Sequence, residues 1–240
     1  MLVFLTFWTL IGITVSDRLR SGILAQKSRF DWIIDTIGLL IQGFLIPAIQ
    51  IVVLNRFCSY LMPQAAGCLT LNPVLAFGLS FIAVDYLYYW NHRGLHSKWL
   101  WRSHLVHHTV TQMDVLGTSR NTIWTSFVIV YVWVHGLFIY LLSDPSWYIL
   151  GVSLTSALDL WRHSGLWVSE RSHIYRIISL ILILPQDHAW HHAAEITNCN
   201  YGANFKLWDV IHQTYYSASE FPERLGVESN LSLMRRLFLP

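Results

Sequence analysis

The sequence predicts an all-α integral membrane protein: a helical bundle of four or five spans, capped on its cytoplasmic side by helices that carry histidines. Three observations predict this. The 240 residues are 54% hydrophobic and only 12% charged, about half the roughly 25% charge of a soluble domain, so lipid must be part of the solvent. Apolar runs long enough to cross a bilayer recur along the chain. The basic residues sort to one side of those runs.

The elements follow in order. Met1–Val15 is apolar and reads as a short first span or an interfacial helix. No basic residue precedes it and no small-residue cleavage site follows, so a cleaved signal peptide is not expected. Trp32–Leu54 and Ile123–Leu142 are each long enough to cross a bilayer, and Pro73–Trp90 is near the lower limit. Ser146–Trp161 spans only with tilt or bilayer thinning, and forms a hairpin with the preceding run about Ser143-Asp144-Pro145. Ile174–Leu184 is too short to span and ends at Pro185, which suits an interfacial or re-entrant segment. If Trp32–Leu54 runs outward from the cytoplasm, all of the 16 basic residues except Arg56 lie inside, Arg18 and Arg20 among them. This lopsided count sets the orientation.

Length and the lack of a Gly-, Ser- or Pro-rich linker fit one domain over residues 1–240, with its motif-bearing region at about 85–212. Cys58, Cys68 and Cys199 show neither metal-type spacing nor a disulfide framework. No basic run suggests nucleic-acid binding.

The histidines carry the chemistry. His92 and His96 stand at i and i+4 in HRGLH; His104, His107 and His108 at i, i+3 and i+4 in HLVHH; His188, His191 and His192 repeat that spacing in HAWHH; His163 lies in WRHSG. On a helix these spacings share one face and aim several imidazoles at one place. In the predicted topology all nine lie on the cytoplasmic side. One zinc needs four ligands, so nine nitrogens suit two metals with four or five each. Imidazole suits zinc, copper, iron and nickel. The cysteines do not suit iron–sulfur, and haem would leave most of the histidines unexplained. A non-catalytic membrane protein that stores or moves metal is the competing class. It predicts ionisable residues through the membrane, but Asp35, Asp85, His135 and Asp159 are too scattered to draw a path. His135 reads as a packing residue, with a substrate or proton role as the alternative, and His173 as a solvated loop residue. Asp85, Asp187 and Asp209 are candidates to orient ligand imidazoles from behind, and Asn200, Tyr201 and Asn204 to hydrogen-bond around the site.

The stretch DYLYYWNHRGLHSKWLWRSHLVHHT, then HSG, then PQDHAWHH and NYGANFKLWD, resembles the fatty acid hydroxylase and sterol desaturase superfamily of integral membrane histidine-box di-iron enzymes. The resemblance runs from about Asp85 to Asp209. It implies that His92, His96, His104, His107, His108, His163, His188, His191 and His192 hold two iron ions, with no catalytic residue separate from these ligands. It implies dioxygen as co-substrate and the hydroxylation or desaturation of a C–H bond of a lipid, such as a fatty acyl chain or a sterol. Ether-lipid or aldehyde-level oxidation by the same site is the alternative. Zinc binds such nitrogen sites more tightly than ferrous iron, so purified protein can carry zinc. Gly165 and His212-Gln213-Thr214 depart from the family pattern, and His212 receives no ligand role. With no nucleotide fingerprint and no cysteine cluster, electrons must come from a separate protein, for which the basic cytoplasmic face offers a docking surface.

Overall fold

The apolar runs Trp32–Leu54 and Pro73–Trp90 lie within the two longest helices. A computed structural model describes residues 1–16, 18–196, 198–218 and 220–238. The side chains of Arg18 and Arg20, counted above among the cytoplasmic charges, lie outside the described residues. All named elements among the described residues are helical; β pairing is limited to isolated bridges such as Leu182 with Phe205.

Helix α1 covers Leu2–Ser16. Helix α2 covers Arg29–Leu61 and α3 covers Pro73–Leu95; both are long and apolar enough to cross a membrane. Ser28 starts α2 with a capping box, its hydroxyl accepting from Asp31 N while the Asp31 carboxylate accepts from Ser28 N. Asn72 caps α3 by accepting from Leu75 N at 2.9 Å, and Pro73 occupies the first turn, where its missing N–H costs nothing. In the most apolar windows of α2 and α3 only 17% and 28% of residues are buried. Side chains such as Phe44, Ile51 and Val74 therefore point outward, as lipid-facing residues do. Within α2, wider π-helical turns at Ile41–Leu45 and Ile49–Leu54 flank Pro47, which has no N–H to continue the ladder.

The run Ile123–Leu142, expected as one span, is interrupted. Thr125–Val128 forms one helical turn, Ile129 is extended (φ −75°, ψ 128°), and the longer helix begins only at Val130. Asn91 of α3 causes and satisfies this break. Its Nδ2 donates to Val128 O at 3.1 Å and its Oδ1 accepts from Val130 N at 3.1 Å, replacing bonds the ladder loses. Six further helices that carry the argument are α4 (Trp101–His104), α5 (Val130–Leu141), α6 (Ser146–His163), α7 (Pro185–His191), α8 (Leu207–Ile211) and α9 (Leu233–Phe238). At 1.5 Å per residue α5 is about 18 Å long.

Helix α6 packs between α1 and the first half of α3. Gly151 permits the α3 contact, because a Cβ there would lie 2.1 Å from Ser80 Oγ. The segment Ile174–Leu184 is helical only over His173–Ile178, with Ile174, Ile177 and Leu180 exposed. His173 is thus the first residue of a helix and not a loop residue.

Candidate metal centre

Helix ends deliver the histidines. His92 lies in the last turn of α3 and His96 is its C-cap. Helix α4 ends at His104, and the chain then tightens into a 3₁₀ turn over His107–Thr109. His163 ends α6, and α7 carries His188 and His191 with His192 as its C-cap. Eight of these nine are buried and His96 is partly buried.

Their ring nitrogens form two groups, each with one ligand atom per residue within 4.8 Å of the others: His92, His96, His104, His108 and His191 in the first, and His107, His163, His188 and His192 in the second. The boxes therefore do not each serve one place. In the second box His107 turns to the second group while His104 and His108, one turn apart, stay with the first. The third box divides in the same way, with His191 apart from His188 and His192.

Backbone carbonyls set the ring orientations. Nδ1–H donates to Tyr201 O from His92 (2.8 Å), to Cys199 O from His191 (2.7 Å), to Asp159 O from His163 (2.9 Å) and to Arg120 O from His107 (3.3 Å). A carbonyl only accepts, so each Nδ1 carries the proton and each Nε2 keeps a lone pair for a metal. The Nε2 atoms converge: His92 on His104 at 3.0 Å, His163 on His188 at 3.0 Å, and His188 on His192 at 3.2 Å. Both nitrogens of His108, Nε2 of His191, and Nδ1 of His104, His188 and His192 are buried without a hydrogen-bond partner among the described residues. A neutral imidazole has one lone-pair nitrogen, so burying Nε2 of His191 and the ring of His108 without a partner is costly unless cations take those lone pairs. Burial also holds His104, His107, His108, His188 and His192 well below the usual imidazole range, and His191 at about 4. The neutral form is the one that ligates. The residues present fit a metal centre.

The polar residues proposed to stand behind the ligands act one layer further out. The Asp85 carboxylate accepts from Asn204 N (2.8 Å), Phe205 N (3.2 Å) and Trp208 Nε1 (2.7 Å). Asp187 accepts from Leu184 N and Tyr215 Oη, both at 2.9 Å, and so caps the helix that carries the third box. Asp209, its pKa raised by burial, accepts from Tyr201 N (2.8 Å) and Gly202 N (2.7 Å) and so holds the strip whose Tyr201 carbonyl orients His92. Asn200 Nδ2 donates to Asp187 O and Tyr216 O, and Asn204 Nδ2 to Phe81 O and Thr155 Oγ1. These groups hold the loops, and the loops hold the rings. Gly202 is required there, since a Cβ would lie 2.5 Å from Phe205 O. The sequence reading missed the carbonyls of Arg120, Asp159 and Cys199, because a carbonyl acceptor leaves no mark on residue type.

His212 lies outside both groups, its Nε2 3.2 Å from Tyr86 Oη and its ring stacked on Tyr89. A cavity of about 270 Å³ opens from His92, His104, His107, His163 and His188, and reaches Ile46, Pro47 and Gln50 of α2, Val132 and His135 of α5 and Val152 of α6. His135, expected to pack or to face substrate, lines this cavity; its Nδ1 is 2.9 Å from Tyr148 Oη.

The family model described as fatty acid hydroxylase matches residues 77–214, more than half of the 240 residues. The chain belongs to the fatty acid hydroxylase family. The fatty acid hydroxylase match encloses all nine clustered histidines and the loop over residues 199–206. Among curated proteins the chain is similar to ornithine lipid hydroxylase OlsE of Rhizobium tropici, 31% identical over 144 residues, 58% of this chain and 41% of that protein. It is also similar to alkylglycerol monooxygenase of Danio rerio, 28% identical over 145 residues, 59% of this chain and 31% of that protein. The Homo sapiens alkylglycerol monooxygenase is 26% identical over 144 residues, with the same shares. The chain thus spans less than half the length of these relatives. No solved structure matches it significantly.

Proposed function

We propose that this chain is a single-domain, membrane-bound, dioxygen-dependent oxidase that hydroxylates or desaturates a C–H bond of a lipid, such as a fatty acyl chain or a sterol. The observation that carries the reading is the cavity that joins both histidine groups to apolar residues of α2, α5 and α6. A lipid entering between these helices brings a carbon to the ligand cluster. His92, His96, His104, His108 and His191 would hold one iron, and His107, His163, His188 and His192 the other. Two ferrous ions, when bound, supply electrons and oxidising power that no side chain possesses. The chain's own groups do the rest. The four carbonyls keep Nδ1 protonated and Nε2 aimed inward, the buried loops exclude water, and the cavity walls fix the substrate carbon.

In this reading α2 and α3 cross the bilayer, and α1, α5 and α6 bring the crossings to four or five, the short α5 with local thinning. The histidines face the cytoplasm, where a separate protein delivers electrons to the basic side. The lipid names of the relatives support the class. Ether-lipid or aldehyde-level oxidation by the same centre is the alternative. A metal-storage or transport role is disfavoured by the gathering of all nine histidines at one end of the helices. The test is product formation in membranes, per amount of protein, with iron content measured alongside. His107→Ala and His191→Ala should each lose turnover by about 100-fold or more and lose iron, while His173→Ala and His212→Ala keep both. Full activity with unchanged iron in His107→Ala would overturn the ligand assignment, and absence of reductant-dependent dioxygen consumption by iron-loaded protein would overturn the enzyme reading.

A further inference from the structure

The cavity contains a charge whose donors are only partly used. Arg162 lines it and is 2% exposed. Its Nη2 donates to Asp159 Oδ1 at 2.9 Å, whereas Nε and Nη1 are buried with no partner among the described residues. Asn121 lines the same cavity, is 8% exposed, and leaves its Oδ1 unpartnered. A guanidinium cannot shed its proton, so its unused donors carry a desolvation cost unless an acceptor reaches them.

The charge balance says what kind of group that is. Both histidine groups contain imidazoles alone, with no carboxylate in either. Divalent ions there would bring positive charge that neutral ligands do not offset. Among the described residues Asp159 is the one acidic residue on the cavity wall, and Arg162 already engages it. Asp85 is spent on Asn204, Phe205 and Trp208. The cavity is therefore short of negative charge at the place where an arginine has donors to spare, and charge-assisted bonds to an oxyanion are the strong ones.

We propose that Arg162 binds an anionic oxygen group of the lipid, a carboxylate or a phosphate ester, and so places the carbon to be oxidised near the charged end of the substrate rather than at mid-chain. Arg162 and His163 are neighbours at the end of α6 and line one cavity, which puts the charged end beside the second histidine group. This inference rests on the reading of the cavity as the lipid site.

The test is equilibrium binding of radiolabelled dodecanoate, dodecyl phosphate, dodecanol and dodecane to zinc-loaded protein in nanodiscs, corrected for partition into empty nanodiscs. Zinc permits binding without turnover. At least one anion should bind about tenfold more tightly than dodecanol, and the better of the two identifies the carboxylate or the phosphate. Arg162→Met should abolish the anion preference and Arg162→Lys should keep part of it, with zinc content unchanged. Where Arg162→Met loses zinc, the wild-type preference and the lysine variant decide. Equal binding of dodecanoate, dodecyl phosphate and dodecanol would overturn the proposal and leave the lipid cavity standing, with water as the partner of Arg162. Failure of all four to bind would overturn the lipid cavity itself, and the proposal with it.

Discussion

Replacing Arg120 by alanine should unseat the loop that orients His107. The Arg120 side chain is 3% exposed and its Nε and Nη2 grip Asp35 Oδ1 and Oδ2 of α2 at 2.7 and 3.0 Å. Its Nη1 reaches Asp31 Oδ1 at 2.7 Å and Thr109 O at 3.2 Å. Lys27 Nζ completes the cluster, 2.6 Å from Asp35 Oδ2 and 2.5 Å from Asp114 Oδ2. Without Arg120, three carboxylates share one lysine. Removing one partner of a buried ion pair costs about 3–5 kcal/mol, and the two bonds to Asp35 at about 1.5–3 kcal/mol each sum to an overlapping range of about 3–6 kcal/mol. The loss should reach the site, because Arg120 O accepts from His107 Nδ1. Arg120→Ala should therefore lose about 3–5 kcal/mol in a detergent-to-SDS unfolding titration followed by circular dichroism. Its zinc content should fall, and the Asp35→Ala, Arg120→Ala double variant should be less destabilised than the sum of the singles by at least about 1 kcal/mol. A loss under 1 kcal/mol with additive singles would refute the view that this cluster holds the loop.

Three further outcomes follow from the same contacts. Asn91→Ala orphans the part-buried Val128 O and Val130 N, at up to about 1 kcal/mol for each group; the SDS titration should show the loss, and Asn91→Asp should recover only the half that accepts from Val130 N. Gly38→Ala puts a Cβ 1.9 Å from Ser119 O, so α2 and the loop before Arg120 must separate; hydrogen exchange over residues 116–121 should rise, and unchanged exchange would contradict the contact. For metal-free protein, burial lowers the folded pKa of His104, His107, His108, His188 and His192 below 6.5 and that of His191 to about 4. The unfolded chain then binds more protons below about pH 6.5, so stability should fall as pH drops from there toward 4, by up to about 1.4 kcal/mol per histidine per pH unit; a Tm of chelator-treated protein that stays flat from pH 7 to 5 would exclude this.

The sequence by itself determined the helical class, the two long apolar helices and the gathering of nine histidines. These are local properties: hydrophobic length and residue spacing survive in any one-dimensional reading. It also carried the family, because ligand type and spacing are what the chemistry demands. Only the tertiary structure decided how the ligands divide. HLVHH and HAWHH each read as one helical face, yet His107 and His191 each join the group opposite to their box neighbours. No glycine or proline announces the break at Ile129; a distant asparagine makes it by trading its own amide for the ladder. Asp85, Asp187 and Asp209 looked like ring partners because carboxylates usually are. Here the ring partners are carbonyls, whose placement depends on where loops far apart in the chain are anchored. Arg162 beside His163 reads as one more cytoplasmic charge, and only packing encloses it in the cavity with donors unused. Spacing along a chain specifies which groups can meet on one element, while the positions of carbonyls, cavities and counter-ions come from contacts between elements, which the folded chain alone creates.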